Sequence, residues 1–260
     1  MYDFEFTTPK TVDAAVKAMA ADGAQALGGG QTLLPTMKQR LASPDVLVSL
    51  TGIADMVGIK ATGGTLTIGG ATTHGQVAQD ASYPALAALA GGIGDPAVRN
   101  RGTIGGSLAN NDPAACYPAA ALGSGATITT NTRDIAADDY FQGMFETALN
   151  EDEIITAVSF PIPQKANYQK FVQPASRFAL VGVYVAKTND GVRVAVTGAS
   201  NNGVFRWTEA EAALNAEFSA NALEGMTGNP DDLIADLHGS SAYRAHLIGV
   251  LTRRAVTACN

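Results

Sequence analysis

Leu27-Gly28-Gly29-Gly30-Gln31-Thr32-Leu33-Leu34-Pro35 sets three consecutive glycines between a short apolar run and a segment that reads as the start of a helix. Without a Cβ, glycine permits positive φ and the close approach of a ligand, so neighbouring N–H groups can converge on an anion. Residues 24–27 read as a strand that delivers the chain into this loop. Residues 33–41 begin a helical turn, with Pro35 tolerated near its start. The helix dipole then points at the same anion as the loop N–H groups. A second stretch, Thr103-Ile104-Gly105-Gly106-Ser107-Leu108-Ala109-Asn110-Asn111-Asp112-Pro113, has the same character. Neither fits the G-x-G-x-x-G fingerprint or the lysine-bearing phosphate loop. Each alone is equally a glycine-rich turn of structure. Together they favour two main-chain cradles gripping the diphosphate of a dinucleotide.

Around these stretches the chain alternates short strands and helices. Thr11 reads as the N-cap of a helix carrying Val12, Ala15, Val16 and Met19, with Gly23 beyond its end. Residues 46–50 read as a strand, and residues 57–59 and 66–68 flank a Gly63-Gly64 hairpin turn. Helices are read over 85–90 and 113–122, and a strand over 154–160 that Pro161 and Pro163 halt. A polar connector near 161–168 precedes three strands (168–172, 179–187 and 192–200), with Asn189-Asp190-Gly191 as a turn. Residues 209–214 and 242–258 read as helices, the last with an apolar stripe of Leu247, Val250, Leu251 and Ala255. The pattern is α+β in two parts. The expected division is residues 1–163, with subdomains of roughly 1–56 and 57–163, followed by a smaller α+β domain over 168–260 with a three-stranded sheet and helices.

The 260 residues, 46% of them hydrophobic, suffice for a buried core. A formal charge of −7 argues against nucleic acid or an anionic membrane as a partner. Two cysteines, Cys116 and Cys259, are too few to hold an iron–sulfur cluster. No basic and apolar leader opens the sequence and no window suits a membrane span, so the expected location is cytoplasmic.

Acid–base and metal machinery is thin. His74, His238 and His246 are scattered and read as surface or structural side chains, and Cys116 as a buried apolar one. Ser107 and Ser124 lack a nucleophile elbow. Asp138-Asp139 and Asp231-Asp232 read as helix caps, and Arg253-Arg254 as a solvated face or subunit contact. Catalysis by such a chain requires a cofactor that supplies the chemistry, which suits a flavin.

At these residues the chain resembles the FAD-binding medium subunit of the molybdenum hydroxylases, the family of carbon monoxide dehydrogenase, xanthine dehydrogenase and aldehyde oxidoreductase. Gly28 to Pro35 resemble its A-G-G-Q-S-L-x-P signature, and Thr103 to Ala119 its T-I-G-G-N-x-x-x-x-D-P-A-x-D-x-P-A signature. The likeness continues through Glu153-Ile154-Ile155, Tyr168-Gln169-Lys170, residues 178–183 and residues 238–244. It implies an FAD domain of the vanillyl-alcohol-oxidase-like type. The implied cofactor-binding residues are Gly28, Gly29, Gly30, Gln31, Thr32, Leu33, Thr103, Ile104, Gly105, Gly106, Ser107, Asp112, Cys116, Ile155 and Lys170. Ile155 is expected near the flavin or adenine, and Lys170 to reach the cofactor from the second domain. Ser107 replaces the signature asparagine. Cys116 stands where many relatives carry aspartate, so any hydroxyl contact made by that carboxylate is lost or replaced.

The resemblance further implies a small subunit with two [2Fe–2S] clusters, a large subunit with the molybdopterin cofactor, an external electron acceptor and a dimer of heterotrimers. Two other readings stand beside it. One is a stand-alone flavoprotein like UDP-N-acetylenolpyruvoylglucosamine reductase; the other is a non-catalytic assembly subunit that has lost FAD.

Overall fold

The first glycine stretch hangs from the end of a small parallel sheet. In the computed structural model, which describes residues 1–259, β1 (Glu5–Thr7), β2 (Ala24–Leu27) and β3 (Val46–Ser49) pair in the order β1-β3-β2. Helix α1 (Val12–Met19) starts at Thr11, whose hydroxyl accepts the Ala14 N–H, and it buries Ala15 against Val48 and Ile53. After β2 the chain turns through the glycines into α2 (Leu33–Lys38). Pro35 takes the third helical position, where its missing N–H leaves no bond unmade.

A five-stranded antiparallel sheet follows, in the order β4-β5-β10-β6-β7. Its strands are β4 (Ile59–Thr62), β5 (Thr65–Gly69), β6 (Thr127–Thr130), β7 (Asp134–Ala136) and β10 (Ile155–Pro161). Gly63 and Gly64, at φ +60° and +79°, form the β4–β5 turn, as a two-residue hairpin of the I′ type demands. Between β5 and β6 lie α3 (His74–Val77), α4 (Pro84–Gly91), α5 (Pro96–Arg99), α6 (Ile104–Asn110) and α7 (Tyr117–Ser124). Between β7 and β10 come α8 (Ala137–Tyr140) and the hairpin of β8 (Phe141–Gly143) with β9 (Glu146–Thr147). The largest core unites Leu86, Leu89, Tyr117, Ile128, Val158 and Phe160.

The last part is a sheet of β11 (Lys165–Val172), β12 (Ala179–Thr188), β13 (Gly191–Thr197) and β14 (Phe205–Arg206), with α9 (Thr208–Ala216) and α10 (Ser241–Ala258). Strand β12 buries both faces. Val181, Val183 and Val185 meet Trp207, Ile248 and Leu251, while Tyr184 and Ala186 join the larger core beside α7. Arg244 is buried in α10 and donates to the Leu180 and Gly198 carbonyls and to Asp236, which ties the helix to the sheet.

Several local readings shift. Strand β4 begins at Ile59, α7 runs from Tyr117 rather than residue 113, and the C-terminal sheet gains β14 as a fourth strand. Only residues 162–164 separate β10 from β11, so the polar connector is shorter than its prolines suggest. Asp138 is no cap: it pairs with Arg193 at 2.7 Å, joining α8 to β13. Asp231 and Asp232 lie inside a 3-10 turn whose cap is Asn229.

Candidate functional site

The glycine stretches come from distant parts of the chain and meet over one cavity of about 1080 Å³. A Cβ built on Gly28 would lie 2.8 Å from Thr103 Oγ1 and 3.8 Å from Gly106 Cα. One on Gly29 would collide with the Arg101 carbonyl, and one on Gly105 would lie 2.6 Å from the Gly70 carbonyl oxygen. These glycines therefore let backbones press together. Gly30 serves conformation instead, at φ +72°.

The two stretches offer different chemistry to the cavity. None of the N–H groups of residues 28–32 donates to another group of the described chain, and the Gln31 amide closes its own turn onto the Gly29 carbonyl at 3.3 Å. Of these, the N–H groups of Gly28, Gly30, Gln31 and Thr32 belong to residues that line the cavity and remain for a ligand. The second stretch is no loop: Thr103 is the N-cap of α6, and Gly105 and Gly106 lie in its first turn. Its N–H groups are already used, Ile104 on the Thr72 carbonyl, Gly105 on Gly70, Gly106 on Thr103 Oγ1 and Ser107 on the Thr103 carbonyl. The expected second cradle of free N–H groups is thus absent. What α6 contributes is the positive end of its dipole, hydroxyls and glycine Cα surfaces without side chains.

Most of the implied residues share the wall: Gly28, Gly30, Gln31, Thr32 and Leu33 on one side, Thr103, Gly105, Gly106, Ser107, Asp112, Cys116, Ile155 and Lys170 on the others. Two do not reach it. Gly29 is buried behind the turn against Arg101 and Gly102, and Ile104 is fully buried in the main core.

His74, read from sequence as structural, also lines the cavity. Its ring packs on Tyr117 at 5.3 Å, and neither His74 Nδ1 nor the Tyr117 hydroxyl has a partner. Burial, helped by the Arg99 charge, lowers its pKa to about 4 from 6.5. The unfolded chain therefore binds this proton first as pH falls. Stability present above pH 6.5 is lost progressively down to about pH 4, by up to about 3 kcal/mol. Urea midpoints measured across that window are expected to fall for the unmodified chain and to fall less for His74→Asn.

Residues 2–163 match the family described as the FAD binding domain in molybdopterin dehydrogenase. The chain belongs to that family. It is 32% identical to the carbon monoxide dehydrogenase medium chain of Afipia carboxidovorans, across 97% of this chain and 95% of that one. It is 33% identical to the nicotine 6-hydroxylase medium subunit of Paenarthrobacter nicotinovorans, across 96% and 95%. Among solved structures, a chain of the carbon monoxide dehydrogenase of Hydrogenophaga pseudoflava superposes with a TM-score of 0.89 at 30% identity, covering 99% of this chain and 97% of that one. The fold is thus the mixed α+β fold of those medium chains. The protein is an FAD-binding oxidoreductase subunit of molybdenum dehydrogenase complexes, a medium chain of the carbon monoxide dehydrogenase type. Among the described residues no helix is long and apolar enough to cross a membrane.

Within this FAD-binding subunit, the Lys170 side chain at the cavity wall is engaged by the chain itself. Its ammonium donates to the Gly92 carbonyl at 2.8 Å, the Arg177 carbonyl at 3.1 Å and Cys116 Sγ at 3.6 Å, which uses all three donors. It latches β11 to the turn after α4 and to the β11–β12 loop, and so shapes the wall rather than offering it a free charge. Cys116, 6% exposed, is held by that contact. Asp112 accepts the Ala114 N–H at 2.8 Å, and burial raises its pKa.

Ile155 is placed by its neighbour Glu153. That carboxylate gathers Arg133, Thr130, Thr132 and the Asn150 N–H, and the Arg133 guanidinium holds it well below the usual carboxylate range.

Sequence reasoning missed Ile93, Phe145, Arg177 and Phe178, which also line the cavity. Phe145 and Arg177 have positive φ, +59° and +63°, a conformation costing a residue with a Cβ roughly 1–2 kcal/mol. Nothing in their residue types signals it.

Proposed function

We propose that this chain is the electron-transfer subunit of a heterotrimeric molybdenum-containing hydroxylase, placed between the [2Fe–2S] centres of a small partner and an external acceptor. A large partner carrying the molybdopterin cofactor oxidises the substrate. The assembly is a cytoplasmic dimer of heterotrimers.

The observation that carries this reading is the single cavity shared by the two glycine stretches. Its residues fit FAD: unpaired N–H groups on Gly28, Gly30, Gln31 and Thr32 suit a diphosphate, and the missing side chain of Gly106 leaves it room. The volume of about 1080 Å³ lies just above the ~300–1,000 Å³ range of small-molecule sites, as an extended dinucleotide requires.

When bound, FAD supplies the redox chemistry. The chain's own part is to bind, orient and shield. The N–H groups of Gly28, Gly30, Gln31 and Thr32 would hold the diphosphate, with Gln31 and Thr32 at the turn into α2. Thr103 and Ser107 add hydroxyls, and Ile155 gives an apolar wall to a ring. Lys170 and Cys116 fix the distance between β11 and the turn after α4. In this reading residues 1–163 form the cofactor domain, with subdomains 1–56 and 57–163 of the vanillyl-alcohol-oxidase-like type, and residues 168–260 close over it.

Affinity purification of the tagged chain from its native cells tests the assembly. An iron–sulfur subunit and a molybdopterin subunit are expected to co-elute, with FAD in step with this chain. Recovery of the chain by itself, reduced by a nicotinamide donor, would favour the stand-alone reductase. Recovery of the full complex without flavin would favour a purely structural subunit.

A further inference from the structure

Phe145 occupies a position that its residue type should avoid. It is the second residue of the two-residue loop between β8 and β9, at φ +59°. A hairpin loop with positive φ at its second residue favours glycine or asparagine there. Core packing does not compensate, because the side chain is 58% exposed.

The geometry is nonetheless held firmly from outside the turn. Asn111, left-handed at φ +41° and 1% exposed, caps the C-terminal end of α6. Its side-chain amide donates to the Gly143 and Glu146 carbonyls, each at 2.8 Å, and its main-chain carbonyl accepts the Phe145 N–H at 3.1 Å. The loop is therefore clamped to the helix whose first turn carries Gly105 and Gly106. Phe145 lines the cavity together with Ala109, Thr147 and Leu149.

Building on the FAD reading above, we infer that Phe145 is a stacking ledge covering one flat heteroaromatic ring of the dinucleotide. A stiff aromatic side chain left unburied at the wall of a ligand cavity is completed by whatever fills that cavity. Ring-on-base stacking is sequence-tolerant, needs no polar group and rewards a side chain with few rotamers. Asn111 is the positioning residue for the ledge, since its three hydrogen bonds fix the backbone from which the ring projects. The chemistry recognised is a planar π-system, which either the adenine or the isoalloxazine supplies.

Phe145→Gly separates ligand binding from folding, because it removes the ring and the unfavourable backbone together. FAD titration of the full-length chain, followed by quenching of flavin fluorescence, is expected to give a Kd about tenfold higher for the variant. The thermal midpoint of the FAD-free variant is expected to be unchanged or higher. Parallel titrations with ADP and with FMN identify the ring, since only the half that stacks on Phe145 weakens. FAD binding by Phe145→Gly equal to that of the unmodified chain overturns the inference and leaves the FAD reading standing. Loss of a partner subunit in place of FAD affinity overturns it equally, by assigning the ring to subunit contact. Absence of FAD binding by the unmodified chain overturns both.

Discussion

Gly106→Val is expected to raise the Kd for FAD at least ~100-fold, about 2.7 kcal/mol or more, with little change in the stability of the FAD-free protein. The Cβ position on Gly106 meets one atom within 4 Å, Thr103 Oγ1 at 2.9 Å, and otherwise faces the cavity. Valine there projects two methyl groups into the space between the glycine stretches. The helix itself gains slightly, because valine is a better helix residue than glycine by a few tenths of a kcal/mol. That gain offsets the small adjustment asked of the threonine hydroxyl. Titration with FAD and a thermal melt without it read the two effects independently. A variant that binds FAD normally would show that no ligand atom passes Gly106.

Gly29→Ala is expected to act the other way round, on folding first. Its Cβ would collide with the Arg101 carbonyl and crowd Gly102 Cα at 2.6 Å, both of them backbone groups that cannot rotate away. Overpacking of this kind costs about 1–3 kcal/mol, which lowers the midpoint of a chain this long by roughly 2–10 °C. FAD affinity is expected to fall as well, since the turn that carries the free N–H groups is pushed off its support. A melt of the FAD-free variant that matches the unmodified chain would mean that the two segments are not pressed together. The pair of variants thus distinguishes a glycine that leaves room for ligand from one that leaves room for backbone.

Much of this architecture is legible in the residues themselves, and the reason differs from place to place. Thr11 and the spacing of Val12, Ala15 and Met19 specify α1 locally, and Gly63-Gly64 specifies a tight hairpin because few other residues accept two positive φ values in succession. The long apolar run of β12 is readable because both its faces are buried.

The second glycine stretch misleads because its helix is secured by distant partners. The carbonyls of Gly70 and Thr72 take the N–H groups that a local reading leaves free. The surroundings of Lys170 are hidden for the same reason: the residue is at the cavity, and three acceptors from elsewhere in the chain occupy its ammonium. His74 escapes a sequence reading because a lone histidine shows nothing of its burial against Tyr117.

That the two glycine stretches share one cavity is legible, since paired Gly-Gly segments with hydroxyl neighbours together favour a common ligand. The division of labour between them is not, because it depends on which N–H groups the rest of the fold consumes.

The most direct test of the account is a flavin-fluorescence titration of the purified, FAD-stripped chain, run beside Gly106→Val. Saturable quenching by the unmodified chain, with a yellow product that survives gel filtration and is absent from the variant, is the result predicted. Fluorescence unchanged on adding the unmodified chain, although its melt shows it folded, would contradict the claim that residues 28–32 and 103–107 enclose a dinucleotide.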